Sequence, residues 1–80
     1  MKYQKEYEQV KAWNQEVKEL LRKVDPTNPI LDDPEDFYEV AEKKIEIGIL
    51  NGYSIEQQMT VMKFLIEITR KKLTELDTIV

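Results

Sequence analysis

Four glutamates in the middle of the sequence have the spacing of one helix face and could do chemistry. They are Glu35, Glu39, Glu42 and Glu46, at intervals of four, three and four residues. Carboxylates on facing helices can bind iron or manganese, but such sites also use histidines from Glu-x-x-His pairs. The chain has no histidine. The spacing therefore predicts a solvated acidic stripe, with a docking strip for a basic partner as the alternative.

The remaining residue types give no catalytic or metal-binding pattern. Four acids lie in or near the segment that joins the first two predicted helices, but this segment lacks the glycine and the closing glutamate of a calcium loop. They are Asp25, Asp32, Asp33 and Asp36. There is no cysteine for a disulfide or thiolate site, and two glycines cannot make a glycine-rich phosphate loop. No nucleophile has a candidate base beside it. We therefore predict a non-enzyme with no metal and no cofactor.

The charge balance weighs against nucleic acid as the default ligand. The chain carries 12 basic and 16 acidic residues, a formal net charge of −4, whereas phosphate binding is driven by clustered lysine and arginine. The one basic triplet is Arg70, Lys71 and Lys72. A dimer could bring two such triplets together, so a dimeric nucleic-acid-binding regulator stays as an alternative.

The sequence also lacks the pattern of a membrane segment. The opening MKYQKEYEQV alternates charged and apolar residues, unlike the continuous apolar part of a signal peptide, and no apolar run approaches bilayer length. We predict a cytoplasmic protein that does not insert into membranes.

Start and stop signals divide the chain into three helices within one domain, residues 1–80. A 4-3 apolar rhythm from Tyr3 to Val24 predicts a helix over about 2–24. Asp33 as N-cap and Pro34 as first helical residue predict a second helix over 34–51. A capping box at Ser54–Gln57 predicts a third helix over about 55–78.

Three helices with short links are typical of an all-α antiparallel three-helix bundle, as a monomer or a dimer. One rival interpretation concerns residues 45–55. In this stretch apolar residues alternate with others on both sides of Asn51 and Gly52, in IEIGIL before the pair and in YSI after it. Such alternation around an Asn-Gly turn is also the pattern of a β-hairpin. In the helical interpretation Gly52 is the left-handed stop of the second helix.

The third helix has two apolar faces. Its seam steps through residues 55, 59, 62, 66, 69, 73, 76 and 80, and a second set follows the spacing i, i+3, i+4, i+7: Val61, Phe64, Leu65 and Ile68. Either helix 3 is central and these four residues are core, or another molecule covers them. That molecule would be a different protein or a second copy of the chain.

The surplus apolar face favours a function in binding. We predict a small non-catalytic protein–protein interaction module, an accessory or inhibitory factor, that uses Val61, Phe64, Leu65 and Ile68. The alternatives are a regulator that binds a basic partner through the acidic stripe of helix 2, and the nucleic-acid-binding dimer.

Overall fold

The computed structural model describes residues 1–79, and these residues form an all-α fold. Its elements are α1 (Gln4–Val24), a 3-10 turn (Pro29–Asp32), α2 (Tyr38–Leu50) and α3 (Ile55–Ile79). Val80, which the sequence pattern assigned to the seam of the third helix, lies outside the described residues. The small helical bundle is thus confirmed.

The turn between α2 and α3 excludes the hairpin interpretation. Asn51 is the C-cap of α2, and Gly52 has a φ of 90°, a left-handed conformation that suits glycine. The Gly52 N–H donates to the Ile49 carbonyl (3.0 Å), and the Tyr53 N–H donates to the Gly48 carbonyl (3.0 Å). These bonds satisfy carbonyls at the end of α2, as a C-terminal capping motif does.

The capping box at the start of α3 is also confirmed. The Ser54 N–H donates to Oε1 of Gln57 (2.8 Å), and the Gln57 N–H donates to Oγ of Ser54 (3.0 Å). Two N–H groups near the helix start are therefore paired.

Helix α2 begins at Tyr38, four residues after the predicted start at Pro34. The chain before it folds as the 3-10 turn, which Asn28 caps by accepting a bond from the Ile30 N–H (3.0 Å). Asp36, not Asp33, stands at the helix start, where its Oδ1 accepts from the Tyr38 N–H (3.3 Å). The predicted second helix, 34–51, was therefore wrong at its N-terminal end.

A contact with α1 explains this late start. The Tyr7 hydroxyl donates to Oδ1 of Asp36 (3.0 Å) and accepts from the Phe37 N–H (3.4 Å). Further up α1, Lys18 Nζ donates to the Asp33 carbonyl (3.0 Å). The connector between α1 and α2, residues 25–37, is thus tied back along α1. These tertiary bonds override the local helix-start signal of Asp33 and Pro34.

Helix α1 packs mainly against α3, and the two run in the same direction. Near their first turns Gln9 and Trp13 border one shallow depression with Met59, and further along Arg70 Nη1 lies 2.8 Å from Glu16 Oε2. Helix α2 is shorter, at 13 residues, and lies beside the N-terminal part of this pair.

The core is thin and lies along this packing. Within the part of the chain that the structure describes, five side chains are buried, each 5–9% exposed: Tyr3, Tyr7, Leu21, Ile45 and Leu73. Among residues 1–79 no side chain is less than 2% exposed. The Tyr7 ring meets the rings of Phe37 and Tyr38 edge-on, with 5.2 Å between centroids in both cases. We call Tyr3, Tyr7, Phe37 and Tyr38 the aromatic cluster.

The chain exposes more surface than a compact protein of its mass. It has 6186 Å² of accessible surface, about 1,100 Å² more than the roughly 5,000 Å² of a typical monomer of this size. Its radius of gyration is 14.0 Å, against about 11.6 Å for a compact domain of 80 residues. The bundle is elongated, 42 × 23 × 18 Å, and leaves apolar side chains uncovered.

Candidate protein-interaction site

The four residues of the second apolar set in helix 3 lie on the outside of the bundle. Val61 is 58% exposed, Phe64 62%, Leu65 52% and Ile68 38%. The interpretation of these residues as core is therefore wrong for the single chain. We call Val61, Phe64, Leu65 and Ile68 the outer face of α3.

Helix geometry explains why this face remains uncovered. Helix α3 turns its Leu73 side toward the bundle, where Leu73 is 8% exposed and Met59 is half-buried. At 3.6 residues per turn, the outer face is centred about 120° around the helix from Leu73. Neither α1 nor α2 reaches that far around α3, since both pack on its seam side.

Exposed apolar side chains also lie near both ends of α3. Leu76 (49% exposed) and Ile79 (81%) follow two to three turns later on the same side, with Lys72 between. Leu76 had been predicted as seam, but it is exposed. Before the helix, Tyr53 is 59% exposed and Leu50 is 85% exposed. Sequence reasoning missed Leu50 and Tyr53 as surface residues because they flank the turn.

The basic triplet is split by an ion pair across the bundle. Arg70 donates to Glu16 at 2.8 Å, and both side chains are more than two-fifths exposed, so the pair adds little to stability. Lys71 and Lys72 are exposed beside the outer face. One of the three cations considered for nucleic acid is therefore already paired.

The four glutamates do not form the continuous stripe that their spacing predicted. Glu35 precedes α2 and lies in the connector, so only Glu39, Glu42 and Glu46 belong to the helix. Glu46 Oε1 lies 3.9 Å from Lys2 Nζ at the exposed surface. The acidic docking strip is therefore shorter than predicted.

A groove separates α1 from the connector and α2. It consists of two adjoining cavities, of about 390 and 280 Å³, that share Asn14, Phe37, Val40 and Lys44. Its walls are largely apolar, with lysines at the rim. Within residues 1–79 no group of three or more carboxylate, cysteine or histidine side chains is arranged to hold a metal ion.

The hydrogen bonds around Asp36 alter its ionisation. The bond from the Tyr7 hydroxyl, followed by the bond from the Tyr38 N–H, lowers the pKa of Asp36 below its ordinary value of 3.8. The carboxylate form is thus favoured at the start of α2, where it also suits the positive end of the helix dipole. Asp36 orders the aromatic cluster and the helix start.

Gln58 joins α2 to α3 at their shared corner. Its Nε2 donates to the carbonyls of Ile45 (3.2 Å) and Tyr53 (3.3 Å). The side-chain amide lies against Gly48, where a Cβ atom would overlap it. The sequence does not indicate this contact, because no local pattern pairs Gly48 with Gln58.

The fold and this surface define a small all-α bundle with an uncovered apolar face. Within the described residues, no helix is both long enough and apolar enough to cross a membrane. Neither protein-family models, nor curated proteins, nor solved structures give a match for this chain.

Proposed function

We propose that this chain is a small helical protein–protein interaction module that binds through the outer face of α3. The observation that supports the proposal is the exposure of four large, adjacent apolar side chains, 38–62% each. Contiguous exposed apolar surface on a small protein commonly marks an interaction site. The proposal is for binding without catalysis, and the cytoplasmic location remains a prediction.

The energy available at this face is large for so small a chain. Full burial of one such side chain contributes about 1.5–3 kcal/mol, and roughly half of each is still exposed. Covering the outer face would contribute about 3–6 kcal/mol before the costs of association. That range is similar to the net stability of about 3–5 kcal/mol expected for a core of this size. A partner on this face would therefore also stabilise the fold.

Phe64→Glu tests the proposal against a matched control, Ile47→Glu. Ile47 is 57% exposed on α2, so both variants place a charge at a similarly exposed apolar position. We expect both to keep the helical content of the parent by circular dichroism. Each variant is then used as a tagged bait, and the protein that co-purifies with the parent chain is measured. Phe64→Glu should weaken the binding of that protein at least about 30-fold, as for a hot-spot residue, whereas Ile47→Glu should not weaken it.

Equal binding by the two variants would place the interaction elsewhere on the chain. Loss of helical content in Phe64→Glu alone would mean that Phe64 supports the fold itself. The acidic and nucleic-acid alternatives have less support, because Glu35 lies outside α2 and Arg70 is paired with Glu16.

A further inference from the structure

We propose that the occupant of the outer face is a second copy of this chain, paired antiparallel about a two-fold axis between Phe64 and Leu65. This inference rests on the proposed function and names its partner. It follows from the order of the exposed apolar residues, the area they leave open and the position of two lysines.

The outer face is symmetric about its own midpoint. Phe64 and Leu65 flank the midpoint, and Val61 and Ile68 lie equally far from it, about 5 Å along the helix axis at 1.5 Å per residue. In an antiparallel pair centred there, Val61 of one copy lies level with Ile68 of the other. A two-fold interface needs such a self-complementary surface.

The same symmetry extends beyond the outer face. Tyr53 and Leu76 stand equally far from the midpoint in sequence, and so do Leu50 and Ile79. Between residues 50 and 79 nine large apolar side chains are exposed, and eight of them fall into these symmetric pairs. The ninth, Met62, is the least exposed of the nine, at 37%. In the antiparallel pair the C-terminal end of α3, with Leu76 and Ile79, lies level with the turn before α3 of the second copy.

The surplus exposed area, which is spread over the whole chain, is of the size that such a pair would bury. A stable interface buries about 800 Å² on each partner, and this chain exposes about 1,100 Å² more than a compact monomer of its mass. A strip along α3 from the turn before it to Ile79 runs most of the 42 Å length of the molecule. One side-by-side contact along this strip would bring the exposed area close to that of an ordinary compact protein.

The lysines beside the outer face favour the antiparallel direction. In a parallel pair Lys71 and Lys72 would lie level with the same residues of the other copy and repel them. In the antiparallel pair they lie level with Gln58 and Gln57 of the second copy, which are neutral. The two lysine sites are then about 21 Å apart along the axis, well beyond the screening length of about 8 Å at physiological salt.

Light scattering of the pure 80-residue chain over a dilution series tests whether the pair forms. We expect twice the mass of one chain at high concentration for the wild type and for Ile47→Glu. Phe64→Glu should raise the dissociation constant at least about 100-fold, because the substitution enters the interface twice. A mass of one chain at every concentration for the wild type would overturn the proposed pair.

Single cysteines test the direction of pairing, since the chain has none of its own. Gln57→Cys mixed with Lys72→Cys should be cross-linked by a short bismaleimide, whereas neither variant alone should be. Cross-linking of each variant with itself, with no cross-link between Gln57→Cys and Lys72→Cys in the mixture, would show a parallel pair and overturn the antiparallel arrangement. Glu56→Cys, on another side of α3, gives the background level of cross-linking. Cross-linking no higher than this background in every sample would overturn pairing on the outer face.

These results separate the pair from the proposed function. If the wild type is monomeric but co-purifies a different protein only when Phe64 is intact, self-pairing fails and the interaction module stands. If the wild type is monomeric and no protein depends on Phe64, both fail.

Discussion

The aromatic cluster and the outer face of α3 give similar side chains opposite environments. Tyr7 and Phe64 both follow helical apolar spacing, yet Tyr7 is 5% exposed and Phe64 is 62% exposed. Around Tyr7 the connector returns and supplies ring contacts and the carboxylate of Asp36, whereas no segment of residues 1–79 returns over Phe64. The comparison shows that chain path, more than residue type or spacing, decides which apolar residues become core.

The largest expected effect is the loss of stability in Tyr7→Ala, compared with the same removal of a ring in Phe64→Ala. Tyr7→Ala should destabilise the fold by about 3–5 kcal/mol, the usual loss for a buried aromatic side chain, and this approaches the whole expected stability. Phe64→Ala should change the free energy of unfolding of the monomer by less than about 0.5 kcal/mol, as for an exposed residue. Urea unfolding of dilute protein measures both.

Tyr7→Phe is the control for this comparison, because it keeps the ring and removes only the hydroxyl. We expect it to cost about 1 kcal/mol, the net value of a typical hydrogen bond. Equal losses in Tyr7→Ala and Phe64→Ala would contradict the contrast between the two regions.

A medium effect is expected at the corner of α2 and α3, which belongs to neither region. Gly48→Ala would push the Gln58 amide away from the Ile45 and Tyr53 carbonyls. Losing these bonds should outweigh the helix-propensity gain of alanine and give a net cost of about 1 kcal/mol. In a Gln58→Ala background the same substitution should instead stabilise by about 0.5–1 kcal/mol. Thermal or urea unfolding of the wild type, the two single variants and the double variant would show this reversal, and an unchanged sign would contradict it.

The smallest expected effect is on the pH dependence of stability, and it tests the hydrogen bonds that Asp36 makes in the aromatic cluster. Because the pKa of Asp36 is lowered in the folded chain, its contribution to stability is present above the unfolded-state pKa of about 3.9. That contribution is lost as the pH falls from there through the folded value. The free energy of unfolding, measured from pH 6 down to pH 2, should therefore decline more steeply in the wild type than in Asp36→Asn. Parallel pH profiles would mean that the Tyr7 bond does not favour the carboxylate.

Local signals in the sequence predicted the ends of elements that depend on neighbouring residues alone. The capping box of Ser54 and Gln57 and the left-handed Gly52 lie where expected, since each is satisfied within a few residues. The start of α2 was displaced because Tyr7, thirty residues away, binds the Phe37 N–H. No local pattern records that contact.

The candidate site could be predicted only as a pattern. The spacing of Val61, Phe64, Leu65 and Ile68 showed that they share one side of a helix, but spacing does not specify which neighbours cover that side. Leu76 shows the same limit, since it continues the seam rhythm and is nevertheless 49% exposed. Exposure depends on how far α1 and α2 extend around α3, and this is a property of the packed bundle.

The elongated shape of the chain affects how its size is measured. A particle of 42 × 23 × 18 Å tumbles and diffuses more slowly than a sphere of equal volume. On a gel-filtration column it elutes early, so that a single chain resembles a heavier globular protein. Two such rods lying side by side grow in thickness and hardly in length, so the pair elutes less far ahead of the monomer than its doubled mass suggests. Column retention therefore compresses the difference between one chain and two, while scattered light, which reports mass directly, preserves it.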